Sequence, residues 1–129
     1  MKLLIADDNP AIRALVRQLC AGLAHEVRDC CNGAEAVALF EEFRPDWTLM
    51  DLMMPEMDGL TATTQIKARN PNARVAIITE LRSPEYREAA LQAGAFAFML
   101  KENLHLLPKL LANPSFQISQ FPVGGQGQD

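Results

Sequence analysis

Four short apolar runs in this chain each stop on a side chain able to do chemistry. Residues 3–6 run into Asp7 and Asp8, and residues 47–50 run into Asp51. The run 75–78 ends at Thr79, and the run 95–100 ends at Lys101. Short continuous apolar runs bounded by turn residues read as strands buried on both faces. Helical patterns separate them. Strands alternating with helices imply a parallel sheet, because a parallel return needs a crossover long enough to hold a helix.

The connecting segments carry their own start and stop signals. Asn9 can cap a first helix, with Pro10 at its first position and Ile12, Leu15, Val16 and Leu19 on one face. A weaker strand covers about 26–30. Asn32 caps the next helix, with Glu35 three residues on as a variant capping box. Ala36, Leu39, Phe40 and Phe43 give its apolar face, and Pro45 stops it. After Asp51 a loop rich in Met, Pro and Gly runs to Gly59, and a Thr-rich helix follows through about residue 69. Ser83-Pro84 starts a fourth helix, with Tyr86, Ala89, Ala90 and Ala93 on one face and Gly94 at its end. Asn103 can cap the last helix, in which Leu104, Leu107 and Leu111 share a face. Pro108 inside it predicts a late start, a kink or a short helix.

Residues 1–112 thus form one α/β domain, a doubly wound five-stranded parallel sheet. Residues 113–129 hold one charge, Asp129, with four Gln, three Gly and two Pro. That composition reads as a flexible tail or linker. In a flavodoxin-like strand order, 2-1-3-4-5, the first and third strands meet where the order reverses. Ligands sit in the crevice there, beyond the carboxyl ends of the strands.

Composition removes several function classes. A formal charge of -4 argues against a broad nucleic-acid-binding surface on this segment. Cys20, Cys30 and Cys31 form no C-x-x-C pair, and they read as buried reduced thiols of a cytoplasmic protein. No apolar run approaches the ~18 residues of a membrane span, and the N-terminus lacks a signal-peptide pattern. His25 and His105 have no metal-ligand spacing and read as surface or partly buried residues, Trp47 as a packed one. The methionines read as packing residues, and Glu56 and Asp58 as solvated loop acids.

In that strand order, Asp7, Asp8 and Asp51 share one crevice with the Thr79 hydroxyl and the Lys101 ammonium. Two carboxylates ~4 Å apart repel by roughly 4 kcal/mol at an effective dielectric of 20. A hard divalent cation resolves that conflict, and Mg²⁺ favours a site offering carboxylates, water and a phosphate. Asp51 stands alone at its strand end and is the best nucleophile, able to carry an aspartyl-phosphate. The adjacent Asp7-Asp8 pair suits the metal. Lys101 can pair with one phosphoryl oxygen and Thr79 can hydrogen-bond another. Glu56, Asp58 and Glu80 add to the same edge, so the chain is nearly neutral apart from one acidic rim.

Leu-Ile-Ala-Asp-Asp-Asn (4–9), Asp-Leu-Met-Met-Pro-Glu-Met-Asp-Gly (51–59), Ile-Ile-Thr (77–79) and Ala-Gly-Ala-Phe-Ala-Phe-Met-Leu-Lys (93–101) occur in this order at these strand ends. Together they resemble the receiver domain of two-component response regulators, over about residues 1–112. The resemblance implies a signalling phosphoacceptor, not an enzyme beyond its own phosphotransfer and dephosphorylation. Asp51 would accept phosphate from a histidine kinase or phosphotransfer protein. Asp7, Asp8, Asp51 and the Met53 backbone carbonyl would hold Mg²⁺, and Thr79 and Lys101 would bind the phosphoryl group. Thr79 and Phe98 fall at the family's switch positions. Their movement would change the surface of the fourth helix, fifth strand and fifth helix, where a partner or a second copy binds. The kinase would dock near the first helix and the loop after the fifth strand.

Two departures stand out. Glu80 occupies the position after the family threonine, where a small residue is usual. Glu102 follows Lys101 where many receivers have proline, which looks more like receivers of LuxR-type regulators, the DNA-binding transcription regulators. Met53 and Leu81 hold positions that influence water attack on the aspartyl-phosphate. Both are apolar, so slow self-dephosphorylation is expected.

Three rival readings remain. A receiver-like interaction module with impaired phosphorylation fits Glu80, and intact Asp51, Thr79 and Lys101 argue against it. A Mg²⁺-dependent phosphatase with Asp51 as nucleophile would have a second Asp two residues later, where Met53 stands, and would need a cap domain. A nucleotide or flavin module would carry G-x-G-x-x-G or a P-loop, and Asp-Asp-Asn-Pro after the first strand would repel a phosphate.

Overall fold

The computed structural model describes residues 1–115. Five strands, β1 (Lys2–Ala6), β2 (Glu26–Cys30), β3 (Trp47–Met50), β4 (Val75–Thr79) and β5 (Ala97–Leu100), alternate with five helices. These are α1 (Pro10–Leu19), α2 (Gly33–Phe43), α3 (Gly59–Arg69), α4 (Pro84–Gln92) and α5 (Leu107–Ala112). The sheet order is β2-β1-β3-β4-β5 and every pairing is parallel. This is the doubly wound five-stranded parallel sheet that the apolar runs predict. The order in which strands are added reverses between β1 and β3, so the crevice opens between their carboxyl ends.

Burial follows the period of two along each strand. Leu3, Ile5, Leu49, Ile78 and Met99 face α1 and α5, where Val16, Leu107 and Leu110 meet them. Leu4, Ala6, Met50, Ile77 and Phe98 face α2, α3 and α4, where Phe40, Ile66 and Ala90 close the second layer. The central strands β3 and β4 are buried at every position. The edge strand β2 is buried only at Cys30, with Glu26 and Arg28 exposed. That explains its weak pattern.

Two of the four predicted caps, Asn9 and Asn32, start their helices. Asn9 accepts the Ala11 N–H, and Asn32 accepts the Glu35 N–H. Glu35 reaches back one residue further than a capping box requires, to the Cys31 N–H. Ser83 makes no side-chain cap bond. Asp58 is a cap rather than a merely solvated acid, because its carboxylate accepts the Thr61 N–H at 2.7 Å.

Several expectations are corrected. β5 starts at Ala97, not residue 95. Phe96 lies outside it, 40% exposed, with its ring edge-on to buried Trp47 and Arg74 over both rings. Leu15 is 41% exposed and Tyr86 is exposed too, so the apolar faces of α1 and α4 are narrower than predicted. Cys20 and Cys30 are buried thiols, with burial pushing their pKa values up to about 11 and about 12, but Cys31 is exposed. Asn103 caps nothing. It sits with non-helical backbone angles inside a 3-10 stretch, Lys101–Leu106. α5 is both late and short, and Pro108 falls in its first turn, where a missing N–H costs no bond. From residue 116 onward the expected tail lies outside the described residues. No helix among the described residues is long and apolar enough to cross a membrane.

Candidate functional site

The strand ends deliver five side chains to one cleft. Asp7 and Asp8 follow β1, Asp51 follows β3, Thr79 closes β4 and Lys101 follows β5. Register sets their heights: Ala6 pairs with Met50, and Thr79 with Leu100, so the next residues on each strand emerge together. The cleft is about 420 Å³. Asp8, Asn9, Pro10, Asp51, Met53, Thr79, Glu80, Leu81 and Lys101 line it. Asp7, Thr79 and Asp51 are buried and Asp8 is exposed.

Lys101 Nζ lies 3.0 Å from Asp7 Oδ2 and 3.5 Å from Asp51 Oδ2. One ammonium therefore serves two buried carboxylates. Asp7 is further held on three sides. Its Oδ1 accepts the Asn9 N–H, its N–H donates to the Cys30 carbonyl, and its carbonyl accepts Arg13 Nη1 at 2.7 Å. Burial, then the Asp7 charge, push the Asp51 pKa up to about 6. Lys101 works against that rise, Asp8 adds to it, and the Leu52 N–H opposes it. Burial disfavours the Lys101 ammonium. The hydrogen bond to Asp7, with the charges of Asp51, Asp7 and Glu80, outweighs burial and raises its pKa.

Asp7, Asp8 and Asp51 each offer a carboxylate oxygen, all within 4.8 Å of one another. An all-oxygen donor set fits a hard divalent cation. The raised Asp51 pKa reflects burial first, and then the same crowding by Asp7. Thr79 Oγ1 accepts the Leu81 N–H at 3.1 Å, which leaves its own hydrogen to donate into the cleft.

Other predicted residues land differently. Phe98 is buried in the layer beneath α2, α3 and α4 and does not line the cleft. Met53 is not packed, being 63% exposed at the rim. Glu80 is exposed and Leu81 half-buried, both on the cleft wall. His25 and His105 are exposed.

Three supports escaped sequence reading. Arg13 is one. The ion pair from Arg82 to Glu102, linking the loops after β4 and β5, is another. Both partners are largely exposed, so it contributes little. The third is a pair of close approaches. The Gly59 N–H donates to the Leu52 carbonyl and the Gly33 N–H to the Met57 carbonyl, both at 2.9 Å. A Cβ at Gly59 would press on the Asp51 carbonyl oxygen, and one at Gly33 on that of Met57. The two glycines thereby clamp the 51–59 loop beneath the acid cluster. Glycine at a predicted helix start was the available signal. Gly59→Ala is expected to cost about 2–3 kcal/mol, read as a lower urea midpoint at unchanged slope. An unshifted midpoint would show that the loop yields.

An acid-lined crevice at the β1/β3 reversal, built on a two-layered parallel sheet with a lysine as counter-charge, is the architecture of a signalling receiver. The chain belongs to the response regulator receiver domain family, whose model matches residues 3–111. It is the receiver domain of a two-component response regulator. Domains of this family act as signalling phosphoacceptors and bind Mg²⁺ at an acidic pocket. The chain is 38% identical over 104 residues to an uncharacterised transcriptional regulatory protein of Bacillus subtilis, covering 79% of this chain and 49% of that one. It is 36% identical to the chemotaxis protein CheY of Listeria monocytogenes, over 78% of this chain and 86% of that one. Among solved structures, it is similar to a DNA-binding response regulator of the LuxR family from Staphylococcus aureus. That likeness has a TM-score of 0.79 at 32% identity, over 86% of this chain and 95% of the other. The chain thus spans about half the length of the first of these relatives and most of the second.

Proposed function

We propose that Asp51 accepts a phosphoryl group from a histidine kinase or phosphotransfer protein, and that the chain passes the signal on as a change of surface. The observation that carries this reading is Lys101 Nζ held between Asp7 and Asp51 in an open cleft. Asp7, Asp8, Asp51 and the Met53 carbonyl would hold Mg²⁺, which neutralises charge on the phosphoryl oxygens. An Asp51 carboxylate oxygen forms the new bond to phosphorus as the donor's P–N bond breaks, and the imidazole nitrogen leaves with the electron pair. Esterified Asp51 no longer needs Lys101, which turns to a phosphoryl oxygen. The Thr79 hydroxyl donates to another and draws the following loop inward.

Phe98 and Thr79 then switch the surface of α4, β5 and α5 for a partner or a second copy. Phosphate moves that equilibrium only as far as it binds one state better than the other. Residues 1–112 act as the receiver unit and 113–129 as tail or linker, with a DNA-binding output in the parent regulator. The likeness to a DNA-binding response regulator of the LuxR family from Staphylococcus aureus supports that output reading. This segment itself binds no nucleic acid or membrane, and its setting is the cytoplasm.

The test is intact-mass measurement after incubation with acetyl phosphate and Mg²⁺. One phosphoryl adduct is expected, absent in Asp51→Ala and absent without Mg²⁺. No adduct on the unsubstituted protein moves the reading to a receiver-like interaction module, which Glu80 on the cleft wall favours. Multiple turnover of phosphomonoesters moves it to a phosphatase. Met53 and Leu81 offer no group to orient a water, so the adduct should outlast minutes once the donor is removed. A lifetime of seconds overturns that part. Elution volume with and without donor tests dimerisation.

A further inference from the structure

Asp8 is the exposed member of the acid cluster, and its carboxylate makes no hydrogen bond or ion pair among the described residues. Its aim therefore depends on the backbone that carries it. The peptide linking Asp7 to Asp8 makes one hydrogen bond among the described residues, from Arg13 Nη1 to the Asp7 carbonyl at 2.7 Å. Arg13 stands in the first turns of α1, and its own direction is fixed from β2. Its Nε lies 3.8 Å from Asp29 Oδ2, the oxygen that Arg17 Nε holds at 3.1 Å. A planar guanidinium holds its donors in fixed directions on separate nitrogens, so it can span a carbonyl on one edge and a carboxylate on another, whereas an ammonium reaches both only if they converge on one point. Asp29, Arg13 and the Asp7 carbonyl thus form a strut from the sheet edge to the peptide in front of Asp8.

We infer that Arg13 is a positioning residue for the divalent-cation site, fixing the Asp7–Asp8 peptide and so the aim of the Asp8 carboxylate. The inference rests on the cation-site reading proposed above. It has a sign that separates it from simple electrostatics. Arg13 carries the same charge as the cation, so by Coulomb's law its removal should tighten Mg²⁺ binding. A positioning role predicts the reverse, because a ligand's supporting partner typically sets affinity by 10–100-fold.

Mg²⁺ affinity is measured by titration calorimetry on unphosphorylated protein, with thermal melts as a check on folding. Arg13→Gln is expected to bind Mg²⁺ about tenfold more weakly, and Arg13→Lys to fall between it and the unsubstituted protein. Arg17→Gln is the control. It takes the same charge from the same Asp29 oxygen without touching the Asp7 carbonyl, and should stay within about twofold. Arg13→Gln combined with Asp29→Asn should weaken binding by less than the product of the single effects. Unchanged or tighter binding by folded Arg13→Gln overturns the inference, as does an equal loss in Arg17→Gln. If Arg13→Gln does not fold, Arg13→Lys decides alone, and full affinity there overturns the inference. No Mg²⁺ binding by the unsubstituted protein overturns the cation-site reading itself, and the inference with it.

Discussion

Asp51→Asn should raise the stability of the metal-free protein while removing its capacity to accept phosphate. Asp51 is buried beside Asp7, and its pKa stands at about 6 against an ordinary 3.8. A group whose pKa is higher folded than unfolded contributes stability fully present below the unfolded value and lost as pH rises through the folded one. The loss therefore falls between about pH 4 and pH 6, and above that it stays constant. The rise corresponds to about 3 kcal/mol, and solvent in the open cleft reduces it to about 1–2 kcal/mol. Asparagine does not ionise, so its curve should lie level with the unsubstituted protein near pH 4 and above it at pH 7. Urea unfolding in chelator at both pH values checks this. Saturating Mg²⁺ should narrow the gap, because it stabilises the intact carboxylate set by mass action. Equal stability at pH 7 would sink the view that burial and the Asp7 charge together strain the Asp51 carboxylate.

The meeting of these acids was legible in the sequence, because it follows from which residues end which strands. Asp7, Asp51, Thr79 and Lys101 each close an apolar run, and a parallel sheet sends all its carboxyl ends the same way. Once the runs are strands, the residues must meet. The sequence was less informative wherever position depends on tertiary packing. Asn103 has a cap's chemistry, yet the chain after Lys101 winds as a 3-10 turn, and Leu104 and Leu107 enter the core without a cap. Leu15 continues an apolar stripe that the narrow contact of α1 on the sheet does not cover. Phe96 has the alternation of a strand residue. Its N–H bonds the Val75 carbonyl one step before the ladder begins, and its ring leans on Trp47 instead. Arg13 could not be read at all, because a carbonyl partner leaves no mark in a side-chain pattern.

Lys101→Met should be the most damaging single change at the site. The Lys101 side chain is 12% exposed, and its ammonium lies within 3.5 Å of the carboxylates of Asp7 and Asp51, whose side chains are 4% and 7% exposed. Removing one partner of a buried ion pair leaves an uncompensated charge, at a typical cost of 3–5 kcal/mol. Here the cleft admits water, so about 2–4 kcal/mol is expected at pH 7 without metal. Two features distinguish this from loss of packing. The penalty should shrink as pH falls from about 8 towards 6 and level off below that, because protonating Asp51 in the variant removes one of the two stranded charges. Without the opposing lysine, Asp51 takes up its proton at a still higher pH. The penalty should also shrink when Asp51→Asn is combined with Lys101→Met, since the double variant carries one buried charge where Lys101→Met carries two. A coupling of about 1 kcal/mol or more in that cycle is expected. Mg²⁺ should rescue Lys101→Met further, supplying the missing counter-charge to the same oxygens. If the penalty is instead independent of pH, of Asp51 and of Mg²⁺, Lys101 matters for its methylenes. The reading of its ammonium as the shared counter-ion of Asp7 and Asp51 would then fail.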